Sequence, residues 1–327
     1  MSDWQIFRGT GEPHDGIDTL PEPPQWRNFD GGPVLPPVTG GWRPGDLARA
    51  ASYQPDPEVL NLVNAALYLR RPLLVTGKPG VGKSTLALAL AHELGLGPVL
   101  RWPITSRSTL QDGLYKYDAI SRLHDVGLKK PQSETDIGRY ITLGPLGTAL
   151  LPYGRPRVLL VDEIDKSDID LPNDLLTVFE EGEYDISELV RAARDQPTVR
   201  VSTSDGATTV PVVGGRVQCR AFPVIVLTSN GEREFPPAFL RRCTPVEIPS
   251  PSRHRLTQIV RARLGEEMSA TADDLVDRFV ERRQEGDLAT DQLLNAVYMT
   301  FHTVREEGRG RQELADQLMR HLQSPSA

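Results

Sequence analysis

Residues 77–84 read GKPGVGKS, and their types and spacing could hold the phosphate groups of a nucleotide. The glycines would let backbone N–H groups turn inward around phosphate oxygens. Lys83 could reach the outer phosphates as a point charge, and the Ser84 hydroxyl could ligate Mg²⁺. The spacing G-x-x-x-x-G-K-[ST] is that of a phosphate-binding loop. The candidate nucleotide-binding residues of this segment are Gly77, Lys78, Pro79, Gly80, Val81, Gly82, Lys83, Ser84 and Thr85.

Two acids end an apolar run further along the chain. Residues 157–163 read RVLLVDE, and a short apolar run bounded by polar residues is typical of a central parallel strand. Asp162 is placed to bind Mg²⁺ beside Ser84, either directly or through water. Glu163 follows at once and could orient and deprotonate an attacking water. With the loop, these acids predict hydrolysis of a nucleoside triphosphate.

Three further residues could complete such a site. The apolar run at 222–228 predicts another buried strand, and Asn230 just beyond it would lie beside Glu163 in a parallel sheet. Its amide could hold the water or the γ-phosphate. Arg241 and Arg242 could reach the nucleotide of a neighbouring subunit, because the guanidinium fork suits phosphate oxygens. The candidate catalytic residues are therefore Glu163, Asn230, Arg241 and Arg242.

Strand, loop and helix must follow one another for the phosphate loop to be positioned. The apolar run at 72–76 precedes the loop, and a helix-forming run at 85–94 follows it. That helix would point its positive N-terminal end at the phosphates. An earlier helix, with Asp56 as N-cap and Pro57 at its first position, delivers the chain to the strand. Residues 51–55, just before that helix, are a candidate adenine contact.

Composition divides the chain into three predicted regions. Residues 1–50 are rich in proline and glycine, which predicts an extended arm. The tryptophans of this arm indicate that it docks on a surface, either the protein's own core or a partner protein. Residues 51–249 predict an α/β nucleotide-binding domain with insertions at about 106–140 and 198–219. Residues 250–327 predict amphipathic helices that form a smaller domain.

The overall charge and the cysteines narrow the class of protein. Acidic residues outnumber basic ones by 44 to 37, a formal net charge of −7, whereas duplex-binding proteins usually carry a basic excess. Cys219 and Cys243 have no metal-ligand spacing and read as reduced thiols. No apolar run approaches the ~20 residues needed to span a bilayer, and the start MSDWQIF lacks signal-peptide features. These features predict a cytoplasmic protein without a membrane span, and the acidic balance argues against a nucleic-acid partner.

Together the motifs resemble those of AAA+ ATPases, and more narrowly of the MoxR-like group. The resemblance covers about residues 55–250, and the helical part after 250 matches in type only. It implies a P-loop AAA+ core, with a parallel five-stranded sheet between helices, followed by a small all-helical lid. The matching segments are GKPGVGKS (77–84), VLLVDEIDKS (158–167), DLLTVFEEGEYDI (174–186), VIVLTSN (224–230) and PPAFLRRC (236–243).

The resemblance also implies roles and partners. By it, residues 77–84 are Walker A, Asp162 and Glu163 are Walker B, and Asn230 is sensor 1. Arg242 is the arginine finger, with Arg241 as the second candidate. The cofactors implied are ATP and Mg²⁺, and the assembly implied is a homo-oligomeric ring, expected to be a hexamer. The ring would act like a chaperone on a protein substrate or on a partner with a von Willebrand factor A domain.

Two alternatives stay open, and one of them follows from a departure from the family pattern. The family usually carries a sensor 2 arginine near the start of the third lid helix, and residues 286–294 (GDLATDQLL) contain none. This predicts an effect on hydrolysis more than on binding, and it favours a nucleotide-dependent switch with little turnover as an alternative. The other alternative is a nucleic-acid motor in which Tyr115, Lys116 and Tyr117 line a pore, since aromatic rings can stack on bases.

Overall fold

The structure is a computed structural model that describes residues 4–127, 136–206, 208–283, 288–303 and 309–319. Its strands, in chain order, are β1 (Leu73–Thr76), β2 (Leu100–Pro103), β3 (Tyr115–Tyr117), β4 (Ile141–Leu143), β5 (Val158–Asp162), β6 (Glu183–Asp185), β7 (Thr198–Ser202), β8 (Thr209–Val213), β9 (Arg216–Gln218), β10 (Val224–Ser229) and β11 (Thr244–Glu247). Its α-helices, in chain order, are α1 (Asp46–Ala51), α2 (Pro57–Leu69), α3 (Lys83–Glu93), α4 (Leu110–Leu114), α5 (Ala119–Gly127), α6 (Pro145–Ala149), α7 (Leu171–Glu181), α8 (Ser187–Ala192), α9 (Pro237–Leu240), α10 (Arg253–Leu264), α11 (Glu266–Ala270), α12 (Asp273–Arg282), α13 (Thr290–Thr303) and α14 (Arg309–Leu318).

The central sheet has five strands in the order β11-β1-β10-β5-β2, and every neighbouring pair is parallel. Successive residues of a strand point to opposite faces. Leu73 and Val75 therefore pack in a core beneath α2 and α3, whereas Leu74 packs in the core on the other face. Burial on both faces explains why β5 and β10 are continuous apolar runs. The predicted parallel five-stranded sheet between helices is confirmed.

A second sheet, in the order β3-β4-β7-β8-β9-β6, is built largely from the two predicted insertions. Strands β7, β8 and β9 pair antiparallel within residues 198–219. The turns contain Gly206 and the pair Gly214 and Gly215, all with positive φ. The insertion at 106–140 supplies α4, β3 and α5, and its part at 128–135 lies outside the described residues. The sheet closes over the core that holds one face of the central sheet.

Helices α10 to α14 pack around a separate core that includes Leu256, Phe279 and Leu293. Ser252 begins α10, as its hydroxyl accepts a hydrogen bond from the Arg255 N–H at 3.3 Å. The short helix α11 was not predicted, because five residues after a glycine carry no periodic signal. Helices α13 and α14 follow in the predicted helical region, and residues 304–308 and 320–327 lie outside the described part.

The proline-rich segment packs on the protein's own core, one of the two alternatives that its tryptophans left open. Phe7 is fully buried, and the Asn64 side chain on α2 accepts hydrogen bonds from the Ile6 and Phe7 N–H groups at 2.7 and 2.9 Å. Glu93, also fully buried, accepts from the N–H groups of Arg8, Gly9 and Gly11 at 2.5 to 3.1 Å. These two polar side chains satisfy backbone groups that the proline-rich segment cannot pair in a helix or sheet.

The boundary predicted at residue 50 falls inside a helix. Helix α1 crosses the predicted end of the arm at residue 50, so the arm passes into the α/β domain without a break. Trp4 lies edge-on against Tyr68, while Trp26 stays 74% exposed. Within the described residues, no helix combines the length and apolar character that crossing a bilayer requires.

Both cysteines are buried, which predicts that they are unreactive in the folded protein. Cys219 and Cys243 are free thiols, 0% and 4% exposed, and burial raises the pKa of each from 9.0 to about 12. Since the thiolate is the reactive form, we expect dithionitrobenzoate at about pH 8 to label neither thiol until the protein unfolds. The raised pKa also means that these thiols favour the folded state below pH 9 and lose this effect as the pH rises toward 12. Rapid labelling of the native protein would contradict the burial.

Candidate active site

A cleft of about 540 Å³ lies where the carboxyl ends of β1, β5 and β10 meet. This edge of a parallel sheet is where open α/β proteins bind their ligands. Residues 79–85 of the phosphate loop line the cleft, together with Asp162, Glu163 and Asn230. Gly77 and Lys78 do not line it, although their carbonyl groups hold the Lys83 side chain. The structure thus brings the loop, both acids and the asparagine to one place.

The loop has the backbone shape that its glycines allow. Gly80 and Gly82 have φ values of 78° and 100°, which disfavour residues with a Cβ atom. A Cβ at Gly80 would lie 2.8 Å from the Thr290 nitrogen. Helix α3 begins at Lys83, so its first N–H groups point into the cleft. The loop and the helix start form the cradle that an anionic phosphate chain requires.

Lys83 is 8% exposed and lies inside this cradle. Its ammonium donates to the Gly77 carbonyl at 2.6 Å, the Lys78 carbonyl at 3.0 Å and Asn230 Oδ1 at 2.7 Å. Burial lowers the pKa of Lys83, and the carboxylates of Asp165, Asp162 and Glu163 act in the opposite sense. A bound phosphate would supply the close negative charge that favours the ammonium form.

Ser84 and Asp162 form a pair of oxygen ligands. Ser84 Oγ donates to Asp162 Oδ1 at 2.8 Å, and Thr228 Oγ1 donates to the same oxygen at 2.6 Å. A hydroxyl and a carboxylate are hard donors, and Mg²⁺ bound to a nucleotide usually takes only one or two protein ligands. The pair therefore fits Mg²⁺. Thr228 was not predicted, although the register that sets Leu227 opposite Val161 brings it next to Asp162.

Glu163 lies at the mouth of the cleft in a left-handed conformation, with φ 61°. Its N–H donates to Thr228 Oγ1 at 2.9 Å, so Thr228 connects both acids to β10. The carboxylate accepts from Lys166 Nζ at 2.8 Å, and both side chains are over 40% exposed. This hydrogen bond raises the pKa of Lys166. A non-glycine residue with positive φ marks a local strain that often occurs at functional sites.

Asp165 is a residue that the sequence analysis missed. It is 5% exposed, and its Oδ2 accepts from the N–H groups of Asn230 at 2.9 Å and Glu232 at 3.2 Å. Its Oδ1 is buried and has no hydrogen-bond partner within the described residues. Asp165 thus fixes the turn after β10 and directs the Asn230 amide toward Lys83. Asp165 lies three residues after Asp162 in the segment VDEIDK, and this proximity was the sequence signal that could have identified it as a site residue.

The predicted adenine segment contributes three of its residues to the cleft, Ser52, Tyr53 and Gln54. Tyr53 is 6% exposed, and its hydroxyl has no hydrogen-bond partner within the described residues. Burial raises the pKa of Tyr53, so the hydroxyl keeps its proton. The ring lies against the loop, 3.6 Å from where a Cβ of Gly82 would be. The Tyr53 hydroxyl could therefore form a hydrogen bond with a polar group of a ligand bound beside the loop.

Seven lid residues line the cleft, Arg255, Gln258, Ile259 and Arg263 from α10 and Thr290, Asp291 and Leu294 from α13. Arg263 interacts electrostatically with Asp291 and with Arg49 of α1, and its pKa is lowered by burial and then by Arg49. Thr290 is 7% exposed, and none of the described residues hydrogen bonds to its hydroxyl. The described part of 286–294 begins at residue 288, and residues 286 and 287 lie outside it.

Arg241 and Arg242 do not line the cleft of their own chain. Arg242 forms an ion pair with Glu180 on α7 and donates to the Ala238 carbonyl at 3.2 Å, while Arg241 is exposed. The Glu180 carboxylate raises the pKa of Arg242. The structure therefore separates these arginines from the other predicted catalytic residues.

The residues considered for a nucleic-acid pore are mostly engaged elsewhere. Tyr115 is 5% exposed, donates to Glu188 at 2.9 Å and stacks on Tyr184. The Tyr117 hydroxyl accepts from Arg122 at 3.0 Å. Lys116 is exposed. The Tyr115 ring is thus a core contact and offers no open face to a base.

Comparison with known proteins agrees with this geometry. No curated protein matches the chain. The model of a family described as the AAA domain, dynein-related subfamily, matches residues 72–243, just over half of the chain. The match runs from the residue before β1 to the residue after Arg242, and so contains the phosphate loop, both acids and Asn230. The chain therefore belongs to the AAA family, in its dynein-related subfamily, and is a nucleotide-hydrolysing AAA+ ATPase.

Proposed function

We propose that this chain is a MoxR-like AAA+ ATPase that hydrolyses ATP with Mg²⁺ and, as a homo-oligomeric ring, remodels or activates a protein partner. The proposal rests on the spatial separation of Arg242 from the nucleotide cleft of its own chain. The cleft holds groups for binding and for activating water, whereas the arginines lie on another surface. AAA+ proteins commonly form rings, and a ring would bring Arg242 to a neighbour's cleft.

In this proposal the loop, the two acids and Asn230 divide the steps of hydrolysis among them. The loop N–H groups and Lys83 bind the phosphates, and Ser84 and Asp162 would hold Mg²⁺, which would neutralise phosphate charge during transfer. Glu163 takes a proton from the attacking water after its carboxylate leaves Lys166. Asn230, held by Asp165, orients that water.

The proposal keeps the three predicted regions, with residues 1–50 as an arm, 51–249 as the nucleotide-binding domain and 250–327 as the lid. We place the protein in the cytoplasm, where free thiols such as Cys219 and Cys243 persist. The ring size expected is six. The partner is a protein substrate, or a protein with a von Willebrand factor A domain.

Assembly can be tested by its effect on turnover. If the active site is shared, ATPase activity per subunit should rise with protein concentration, because a neighbour's Arg242 is needed. Sedimentation with a slowly hydrolysed ATP analogue should show a species several subunits in size. A monomer with constant activity per subunit would contradict the ring.

The partner can be sought with the same residues. Glu163→Gln should keep ATP bound without turnover and so retain the partner in a pulldown. Lys83→Ala is the control, because it should fail to load ATP. A protein recovered equally with both variants is not a nucleotide-dependent partner.

The lid contact gives a further prediction. We expect Arg263→Gln to weaken binding of a fluorescent ADP analogue by about three- to tenfold, since it removes a cation that faces the cleft. Arg261→Gln is the matched control, because Arg261 lies on the same helix but pairs with Glu266 outside the cleft. Equal weakening in both variants would mean that Arg263 acts only through the stability of the lid.

A switch with little turnover is the second candidate, favoured by the Lys166–Glu163 pair and by the absence of an arginine in residues 288–294. In such a switch, Glu163→Gln would leave the biological output intact while Lys83→Ala abolished it. In the proposed ATPase both substitutions abolish the output. The pair of variants therefore separates the two candidates.

A further inference from the structure

A second cleft, of about 450 Å³, lies at the amino ends of the central strands, opposite the nucleotide cleft. This volume is within the range of small-molecule sites. Leu73 and Val224, which begin β1 and β10, line it, whereas the phosphate loop follows the opposite end of β1. Arm residues between 17 and 30 form its outer wall. The cleft is therefore separate from the nucleotide site, and its role does not depend on the proposed function.

The cleft carries an excess of positive charge. Its charged residues are the arginines Arg27, Arg70, Arg71, Arg155 and Arg220 and the acids Asp18, Glu22 and Asp30. Two of these arginines are held by arm residues 15–21. Arg155 pairs with Asp15 and Asp18, and Arg70 donates to the Pro21 carbonyl at 2.8 Å. For the other three, Arg27, Arg71 and Arg220, no ion pair is formed within the described residues.

Arg27 is the most unusual of these side chains, because it is only 7% exposed. One nitrogen donates to the Phe179 carbonyl, and the guanidinium lies over the Phe222 ring at 5.1 Å. Burial lowers the pKa of Arg27, with Glu180 acting against the shift and Arg71 adding to it. Arginines are rarely so buried without a paired acid, because desolvating the charge is costly. An anion in the cleft would provide that missing counter-charge.

The rest of the wall sets the character of the ligand. Leu20, Ala66, Leu67 and Phe222 offer apolar surface beside the arginines. Glu22 and Asp30 are exposed and would repel a second negative group. We propose that this cleft binds a small organic anion with an apolar body, whose single acidic group lies against Arg27, Arg71 and Arg220.

The probe for this site is anilinonaphthalene sulfonate, an aromatic body with one acidic group, whose fluorescence rises on binding. The full chain is titrated in excess ADP, which keeps the probe out of the nucleotide cleft. We expect the double variant Arg71→Gln/Arg220→Gln to weaken probe binding by at least about tenfold, since both arginines are exposed contacts to the anion. The matched control is Arg191→Gln/Arg194→Gln, two exposed arginines outside the cleft, which should bind as the wild type does.

Two competitors identify the acidic group. Displacement of the probe by octanoate assigns a carboxylate ligand, and displacement by phenyl phosphate assigns a phosphate ligand. If the Arg27→Gln variant folds, it should also weaken probe binding. If it does not fold, the Arg71→Gln/Arg220→Gln variant alone tests the proposal. Equal binding by the two double variants, or displacement by neither competitor, would overturn the proposal.

Discussion

Lys83→Ala should abolish nucleotide binding, lowering affinity by at least about 100-fold. Lys83 is the buried cation of the phosphate cradle, and its ammonium is already desolvated and directed by two loop carbonyls. Alanine removes the charge and leaves those carbonyls and Asn230 without their donor. Binding of a fluorescent ATP analogue measures the effect directly.

The control for this experiment is Lys116→Ala, which removes an equal charge from an exposed position away from the cleft. It should bind nucleotide as the wild type does. Near-normal affinity in Lys83→Ala, with the fold intact by circular dichroism, would mean that the phosphates bind elsewhere.

Glu163→Gln should reduce turnover by at least about 1000-fold and leave ATP binding nearly unchanged. The amide keeps the shape of the carboxylate but cannot accept a proton from water. Because Glu163 hydrogen bonds to Lys166, whereas Lys83 is held by the loop carbonyls and Asn230, binding should persist. Steady-state phosphate release measures turnover, and the fluorescent analogue measures binding.

Glu181→Gln is a suitable control, as Glu181 is exposed and lies outside the cleft. A Glu163→Gln variant that still hydrolysed ATP at a tenth of the wild-type rate would assign the base to another residue. Asp165, whose Oδ1 is buried without a partner among the described residues, would be the next to test.

The parts of the site that a short segment encodes were predictable. The phosphate loop lies in one run of eight residues, and the apolar strands before Asp162 and Asn230 fix where those side chains emerge. The parallel sheet follows from the same runs, because only strands buried on both faces are apolar throughout. The spacing of residues within short segments was therefore enough to predict the parallel sheet. It was also enough to place the loop, the two acids and Asn230 at the carboxyl ends of its strands.

The parts that depend on distant contacts were not predictable. Thr228 reaches Asp162 only through strand register, and Arg263 enters the cleft only because the lid packs where it does. Glu93 resembles an ordinary polar position on a helix, yet it is fully buried and holds three backbone N–H groups of the arm. In each case the partner is far away in the chain, so no pattern within a short window records the contact.

We propose that each active site combines the cleft of one subunit with Arg242 of the next. It is tested most directly by mixing Glu163→Gln with Arg242→Ala, each of which should be inactive alone. In a one-to-one mixture, interfaces that join an intact cleft to an intact Arg242 should restore about one quarter of the wild-type ATPase rate. A mixture that assembles and binds ATP but stays inactive, or an Arg242→Ala protein that is fully active alone, would contradict the claim.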